Sequence, residues 1–284
     1  MSSVTVTRKA VDVDGRPASY LTADGPDGLA DRPAVLLLHG TYWSRVWLPV
    51  LPELAAAGLR PVAVDLPGLG RSAGELDAGT ATVPALADWV RRFAAAVGAD
   101  EPLLVAGHDI GGAVAQHLAV GGDTEVARLA LVNSVTYDSW PVPGVERFRD
   151  PEVVAATTVE ELLTARRTAV TAALGRPAAE EEISEYLAPW RSRRVGRSWM
   201  ALGGAADNRY TLDLVPALRR SAMPKLLVWG EDDGFQGIAY AERFAGEMPL
   251  TELVRVPKAG HVPMENDAEA VAAALSAFFA PHGT

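Results

Sequence analysis

Three ionisable residues stand where they could do chemistry together. The first is Asp109, in the run Leu103-Leu104-Val105-Ala106-Gly107-His108-Asp109-Ile110-Gly111-Gly112-Ala113-Val114-Ala115. The others are Asp233, in Gly230-Glu231-Asp232-Asp233-Gly234-Phe235, and His261, in Pro257-Lys258-Ala259-Gly260-His261-Val262-Pro263. A nucleophile, a base and a group that orients the base are what acyl or alkyl transfer requires. Around Asp109 an apolar run stops at Gly107, and two glycines lead into an Ala/Val-rich segment. That pattern predicts a buried strand, a sharp turn and a helix from about Gly111. The spacing is that of a nucleophile elbow, Gly-x-nucleophile-x-Gly, with aspartate where serine usually stands. A helix N-terminus aimed at Asp109 would favour its carboxylate form. The alternative is an ordinary strand-to-helix loop whose aspartate caps the helix.

The elements that must position these residues follow from the hydrophobic pattern. Residues 4–23 alternate apolar and polar around Asp14-Gly15-Arg16-Pro17 and predict a hairpin. Gly25-Pro26-Asp27-Gly28 is a loop. Continuous apolar runs at 34–38, 61–64, 103–107, 129–132 and 225–229 predict parallel strands buried on both faces, with a further strand at 250–256. Helices are expected over 47–57, 83–97 and 267–279. Between 137 and 221 strand signals vanish, and helical segments at 159–174 and 178–187 appear among prolines and tryptophans. The expected architecture is α/β: a mostly parallel eight-stranded sheet with helices on both faces and a helical lid inserted after the sixth strand. The parts are a core at 1–136, a lid at 137–221 and the rest of the core at 222–284. In such sheets the site lies beyond the carboxyl ends of the strands, where Asp109, Asp233 and His261 all fall. His261 is the one histidine of five in the loop after the last strand, whereas His39 and His108 sit inside turn motifs, His117 on a helix face and His282 in the tail. Glu231 and Asp232 compete with Asp233, and Asp138 is a further alternative acid.

Composition bounds the function. The 284 residues suit one large domain or a domain with an insertion. A formal net charge of −10 argues against nucleic acid or anionic membranes as partners. Cysteine is absent, which removes disulfides, thiolate catalysis and Cys-ligated metals. The N-terminus lacks the apolar core of a signal peptide, and no apolar run approaches the roughly 20 residues of a membrane span; a cytoplasmic location is expected. Gly68-x-Gly70-x-x-Ala73 follows a strand, but Gly74-Glu75-Leu76-Asp77-Ala78-Gly79 comes next rather than an apolar helix, so dinucleotide binding is not expected. No His/Glu pair has metal-ligand spacing on one helix. Neither cofactor nor metal is expected; the partner is a small organic substrate, and a homodimer is an open alternative to the monomer.

These motifs in this order resemble the α/β-hydrolase superfamily: His-Gly at 39–40, Asp-Leu-Pro-Gly-x-Gly-x-Ser at 65–72, Gly-x-x-Asp at 230–233 and Gly-His at 260–261. The elbow Gly-His-Asp-x-Gly-Gly is similar to its aspartate-nucleophile branch, the epoxide hydrolases and the haloalkane or haloacid dehalogenases. The resemblance implies that Asp109 attacks a saturated carbon and that His261, oriented by Asp233, activates water against the ester. It also implies an oxyanion site at the backbone N–H groups of Thr41 and Ile110. For epoxide opening the expected hydroxyl donors are Tyr210, then Tyr186, with Tyr137 a further candidate; Trp43, Trp140, Trp190 and Trp199 are candidate pocket walls whose indoles could instead bind a halide. The chain departs from the dehalogenases in carrying Ile110 where a halide-binding tryptophan usually follows the nucleophile. It also has Ile110-Gly111-Gly112-Ala113 where fluoroacetate-type enzymes place arginines, and Tyr42 replaces the proline of His-Gly-x-Pro. Epoxide hydrolysis is therefore the leading expectation, with dehalogenation second and a non-hydrolytic lyase, cyclase or receptor third.

Overall fold

The computed structural model of the chain describes residues 4–24, 32–99 and 101–280; the loop expected at Gly25–Gly28 and the tail histidine His282 lie outside them. Strands β1 (Thr5–Val13) and β2 (Arg16–Asp24) form the N-terminal hairpin, closed by Asp14 and Gly15 at φ 55° and 76°. Left-handed backbone at both turn positions matches the twist of the flanking strands. The remaining strands are β3 (Ala34–Leu38), β4 (Arg60–Val64), β5 (Leu103–Asp109), β6 (Val126–Ser134), β7 (Lys225–Gly230) and β8 (Thr251–Val256). They make one eight-stranded sheet ordered β1-β2-β4-β3-β5-β6-β7-β8, parallel from β4 to β8 and antiparallel across β1-β2-β4.

Alternate residues of each inner strand feed two apolar cores, one per face. Leu36, Leu38, Val105, Leu129, Leu131, Leu227 and Trp229 pack into one. Val35, Leu37, Ala106, Ala130, Val132, Leu226 and Val228 pack into the other. This is why the strands read as unbroken apolar runs: neither face meets water. The first face is covered by α2 (Val83–Ala96), α3 (Ile110–Val120) and α10 (Ile238–Glu247), and the second by α1 (Leu51–Ala56) and α11 (Ala268–Phe279). The helix expected over 47–57 is shorter. Ser44–Val50 coils as a 3-10 turn and only Leu51–Ala56 is α-helical, because Pro49 and Pro52 remove two backbone donors.

The described elements between β6 and β7 are all helical: α4 (Pro151–Ala156), α5 (Val159–Leu174), α6 (Glu180–Leu187), α7 (Arg193–Gly204), α8 (Arg209–Leu212) and α9 (Val215–Arg220), with two short 3-10 turns. Thr158 and Glu161 cap α5 reciprocally, which satisfies two of its free N–H groups. The buried positions Leu162, Arg166 and Val170 fall on one stripe of α5 at four-residue spacing. No described helix is long and apolar enough to cross a membrane.

A tight crossing lies between β5 and α3. A Cβ on Gly111 would stand 2.4 Å from the Leu38 carbonyl oxygen of β3, and one on Gly107 would stand 2.4 Å from the Gly111 carbonyl oxygen. Both obstacles are backbone, so no rotamer change relieves them. Gly111→Ala is expected to cost about 3 kcal/mol through overpacking against fixed backbone, measured as a lower urea midpoint at unchanged slope.

Candidate active site

Asp109 is the last residue of β5, and its backbone adopts φ 55° and ψ −129° before α3 begins at Ile110. A non-glycine residue there costs about 1–3 kcal/mol and persists only where its surroundings impose it. Asp109 is not a helix cap: its side chain makes no capping hydrogen bond to α3. It turns instead to the loop after β3, where Oδ2 accepts from the Thr41 backbone N–H (2.9 Å) and the Thr41 hydroxyl (2.7 Å). Gly40 makes this approach possible, since a Cβ there would lie 2.5 Å from the Ile110 nitrogen and 2.7 Å from the Asp109 carboxyl carbon. The N–H of Ile110, first residue of α3, is one of the donors a helix start leaves free.

Asp233 and His261 converge on Asp109 from the ends of β7 and β8. His261 Nδ1 donates to Asp233 Oδ2 at 2.9 Å, and His261 Nε2 stands 3.9 Å from Asp109 Oδ2. Asp233 is fixed by the Phe235 backbone N–H on Oδ1 (2.7 Å) and by the Asn133 amide on Oδ2 (2.7 Å). Asn133, the penultimate residue of β6, stands at φ 38° and also accepts from the Gly230 N–H. It thus ties the strand ends together and holds the acid. Of the alternative acids, Asp232 and Asp138 are exposed and Glu231 pairs with Arg255. His39 and His108 serve the scaffold. His39 Nδ1 donates to the Gly40 carbonyl and Nε2 accepts from the Leu66 N–H, whereas His108 Nε2 donates to the His261 carbonyl at 2.8 Å.

Burial by itself would lower the His261 pKa, but Asp233 and then Asp109 outweigh it and hold the imidazole at about 10. Burial pushes Asp109 upward, and the nearby His261 charge with the Thr41 N–H hydrogen bond more than reverse this, leaving the carboxyl well below its usual range. Asp233 is lowered in the same way against its own burial cost. Burial and the neighbouring His261 charge push His108 down to about 4, so it is neutral. The resting arrangement is carboxylate, imidazolium, carboxylate.

Above these groups lies a cavity of about 160 Å³ lined by Thr41, Tyr42, Asp109, His261, Phe235 and Gln236 from the core, and by Trp140, Arg166 and Trp199 among residues of the insertion. A void of roughly 150 Å³ holds one benzene-sized molecule. Trp140 is thus where the sequence places it, but other expected site residues are elsewhere. Tyr210, in α8, is half-buried against the core and does not line the cavity. Tyr186 turns its hydroxyl to Glu265 (2.7 Å). Trp43 donates to the Tyr186 carbonyl and lies under Arg8 and Arg71. Tyr137 bonds Glu247. The phenol that does reach the cavity is Tyr42, from the loop position that departs from the His-Gly-x-Pro pattern. Arg166 and Asn133 were not anticipated. A cation within the apolar stripe of a helix is a legible signal for Arg166, while nothing in the sequence distinguishes Asn133 from a turn residue.

Known proteins share this frame. A family model described as alpha/beta hydrolase family matches residues 35–274. The dihydrolipoyllysine-residue acetyltransferase component of the acetoin cleaving system of Pseudomonas putida is 28% identical over 295 residues, covering 95% of this chain and 69% of that protein. A haloalkane dehalogenase of Bradyrhizobium diazoefficiens is 28% identical over 308 residues, 96% of each. Among solved structures, haloalkane dehalogenase DbeA from Bradyrhizobium elkani superposes with a TM-score of 0.81 at 23% identity, covering 96% of this chain and 97% of that one.

Because the folded His261 pKa lies above the free value, the pairing contributes stability that is complete below about pH 6.5 and is lost as pH rises through about 10. Asp109→Asn removes one of the two carboxylates and is expected to lower the His261 titration by at least about 1 unit, read by NMR of the imidazole nitrogens. An unchanged midpoint would mean Asp109 does not interact with His261.

Proposed function

Since the chain belongs to the α/β-hydrolase family, we propose that it hydrolyses a small organic substrate through an alkyl ester on Asp109, with dehalogenation the reading best supported. The observation that carries it is the orientation of Asp109. The hydrogen bonds given to its carboxylate fall on Oδ2, which leaves Oδ1 to attack. Oδ2 is then already placed as the ester carbonyl oxygen beside the Thr41 N–H. A carboxylate nucleophile suits displacement at saturated carbon, where the leaving group departs with the bonding pair.

The atoms balance as follows. Asp109 Oδ1 bonds to the carbon and the carbon–halogen bond breaks, releasing halide. Loss of the Asp109 charge removes one of the carboxylates that raise the His261 pKa, so the imidazolium gives its proton to solvent. Neutral His261 Nε2, held by Asp233, takes a proton from water as the water oxygen adds to the ester carbon. The oxyanion on Oδ2 lies at the N–H groups of Thr41 and Ile110. Collapse breaks the bond from the carboxyl carbon to Oδ1, and the alkoxide recovers a proton from the new carboxyl group. The sum is halide, alcohol and one proton from substrate and water, and the alcohol oxygen is the former Oδ1.

Two findings favour halide over epoxide. Tyr210 and Tyr186, the hydroxyl donors expected for an epoxide oxygen, do not line the cavity. An indole does: Trp199 lines it, and its buried Nε1–H has no partner. The haloalkane dehalogenase similarity over 96% of the chain points the same way. Epoxide hydrolysis stands as the second reading because Tyr42 offers one phenol beside Asp109. The helical insertion serves as the lid in either case.

In the His261→Gln enzyme the ester is expected to accumulate, as an intact-protein mass increase equal to the alkyl group with release of about one halide per chain. Halide release by the wild type with no adduct in the variant would reject the covalent route. Diol formation from epoxides, with no halide from a haloalkane panel, would move the assignment to the second reading.

A further inference from the structure

Arg166 is buried to 4% exposure on the apolar stripe of α5, where it lines the cavity opposite the core residues. One terminal nitrogen donates to the Thr41 carbonyl at 2.8 Å, and the Tyr42 hydroxyl is a second neighbour. The guanidinium lies 5.1 Å from the Tyr42 ring centre, 4.9 Å from Trp190 and 5.1 Å from Trp199. Its Nε has no partner, and no carboxylate of the described residues is within ion-pair distance of it. By contrast Arg45 and Arg176, which also join the insertion to the core, pair with Glu265 and other glutamates. Aromatic faces offset part of the cost of burying a cation, but an unpaired buried charge remains expensive.

We infer that Arg166 is the anchor for a carboxylate carried by the substrate, so that the enzyme selects short-chain haloacids over neutral haloalkanes. This deepens the dehalogenase reading and rests on it. The charge count agrees. In the resting site Asp109 and Asp233 contribute −2, while His261 and Arg166 contribute +2. Esterification of Asp109 removes one negative charge, and with a substrate carboxylate bound the esterified site is again neutral once the halide has left. A guanidinium fork also matches a planar carboxylate in a way a lone ammonium does not. With room for about one benzene-sized molecule, the cavity admits a short acid and little else. The anchor comes from α5, far in sequence from the elbow, so the arginine-free stretch after Asp109 does not exclude acid substrates.

The test compares 2-bromopropionate with its neutral near-isostere 2-bromopropionamide. The wild type is expected to prefer the acid by about 100-fold in kcat/KM, the scale of a desolvated charge pair. Arg166→Gln should bring the two within about tenfold, chiefly by raising KM for the acid, and Arg166→Lys should restore part of the preference. Propionate, which cannot react, should raise the Tm of the wild type while propionamide does not. That binding readout is independent of turnover, so it decides the role of Arg166 even if neither bromide reacts and the dehalogenase reading fails. If Arg166→Gln does not fold, the wild-type comparison and the propionate shift still decide. Equal rates for acid and amide, or no stabilisation by propionate, would overturn the proposal.

Discussion

The site depends on a backbone that a residue with a side chain does not adopt by preference. Asp109 is held at φ 55° and ψ −129° because β5 and α3 meet over too little space for any relaxed turn. The crossing is possible because Gly107 and Gly111 carry no side chain, and Gly40 leaves the neighbouring loop open in the same way. The strain is offset by the two apolar cores that fix the sheet and its helices. What it achieves is placement: a carboxylate lifted above the strand ends, one oxygen tied to Thr41 and the other free. The N-terminus of α3 lies beneath it.

Around that point the structure balances charges among buried groups. Each of the two carboxylates would be destabilised by burial alone, as would the imidazole. Together they stabilise one another, which is why His261 is raised while both acids are lowered. The same coupling gives the site a way to change its own basicity. Any event that neutralises Asp109 weakens the grip on the imidazole proton, so the group that is an acid at rest becomes a base afterwards. Asn133 and His108 matter here because they are neutral. The first orients Asp233 without competing for the proton, and the second holds the His261 backbone.

The insertion packs apolar side chains into both cores and is also fastened by polar contacts behind His261. Glu265 pairs with Arg45 of the core and accepts from Arg176 and Tyr186 of the insertion. The Val262 N–H donates to the Ala173 carbonyl at the end of α5. Through these contacts α5 lies across the cavity with Arg166 inward, and the loop after β3 is gripped from both sides: Thr41 gives its N–H to Asp109 and its carbonyl to Arg166. The tyrosines expected as donors are used elsewhere. Tyr186 belongs to the Glu265 fastening, and Tyr210, within the short helix α8, packs against the core.

The sequence by itself determined the sheet, the elbow and the three groups at the strand ends. Each of these is written in local signals: unbroken apolar runs for strands buried on both faces, glycines at a crossing with no room, and polar residues where a strand stops. It also marked Tyr42 as a departure without saying where the ring would go. The interior of the cavity was decided by tertiary structure alone. Whether a tyrosine in a helical insertion faces the nucleophile or a distant glutamate depends on how six helices pack, and side chains such as Tyr186 and Tyr210 are amphipathic enough to serve either place. Arg166 shows the same limit from the other side. Its four-residue spacing with Leu162 and Val170 put it on the buried stripe, but the carbonyl it holds, the rings around it and the cavity before it come from segments more than a hundred residues away on one side and a few dozen on the other, brought together only when the helix closes over the sheet.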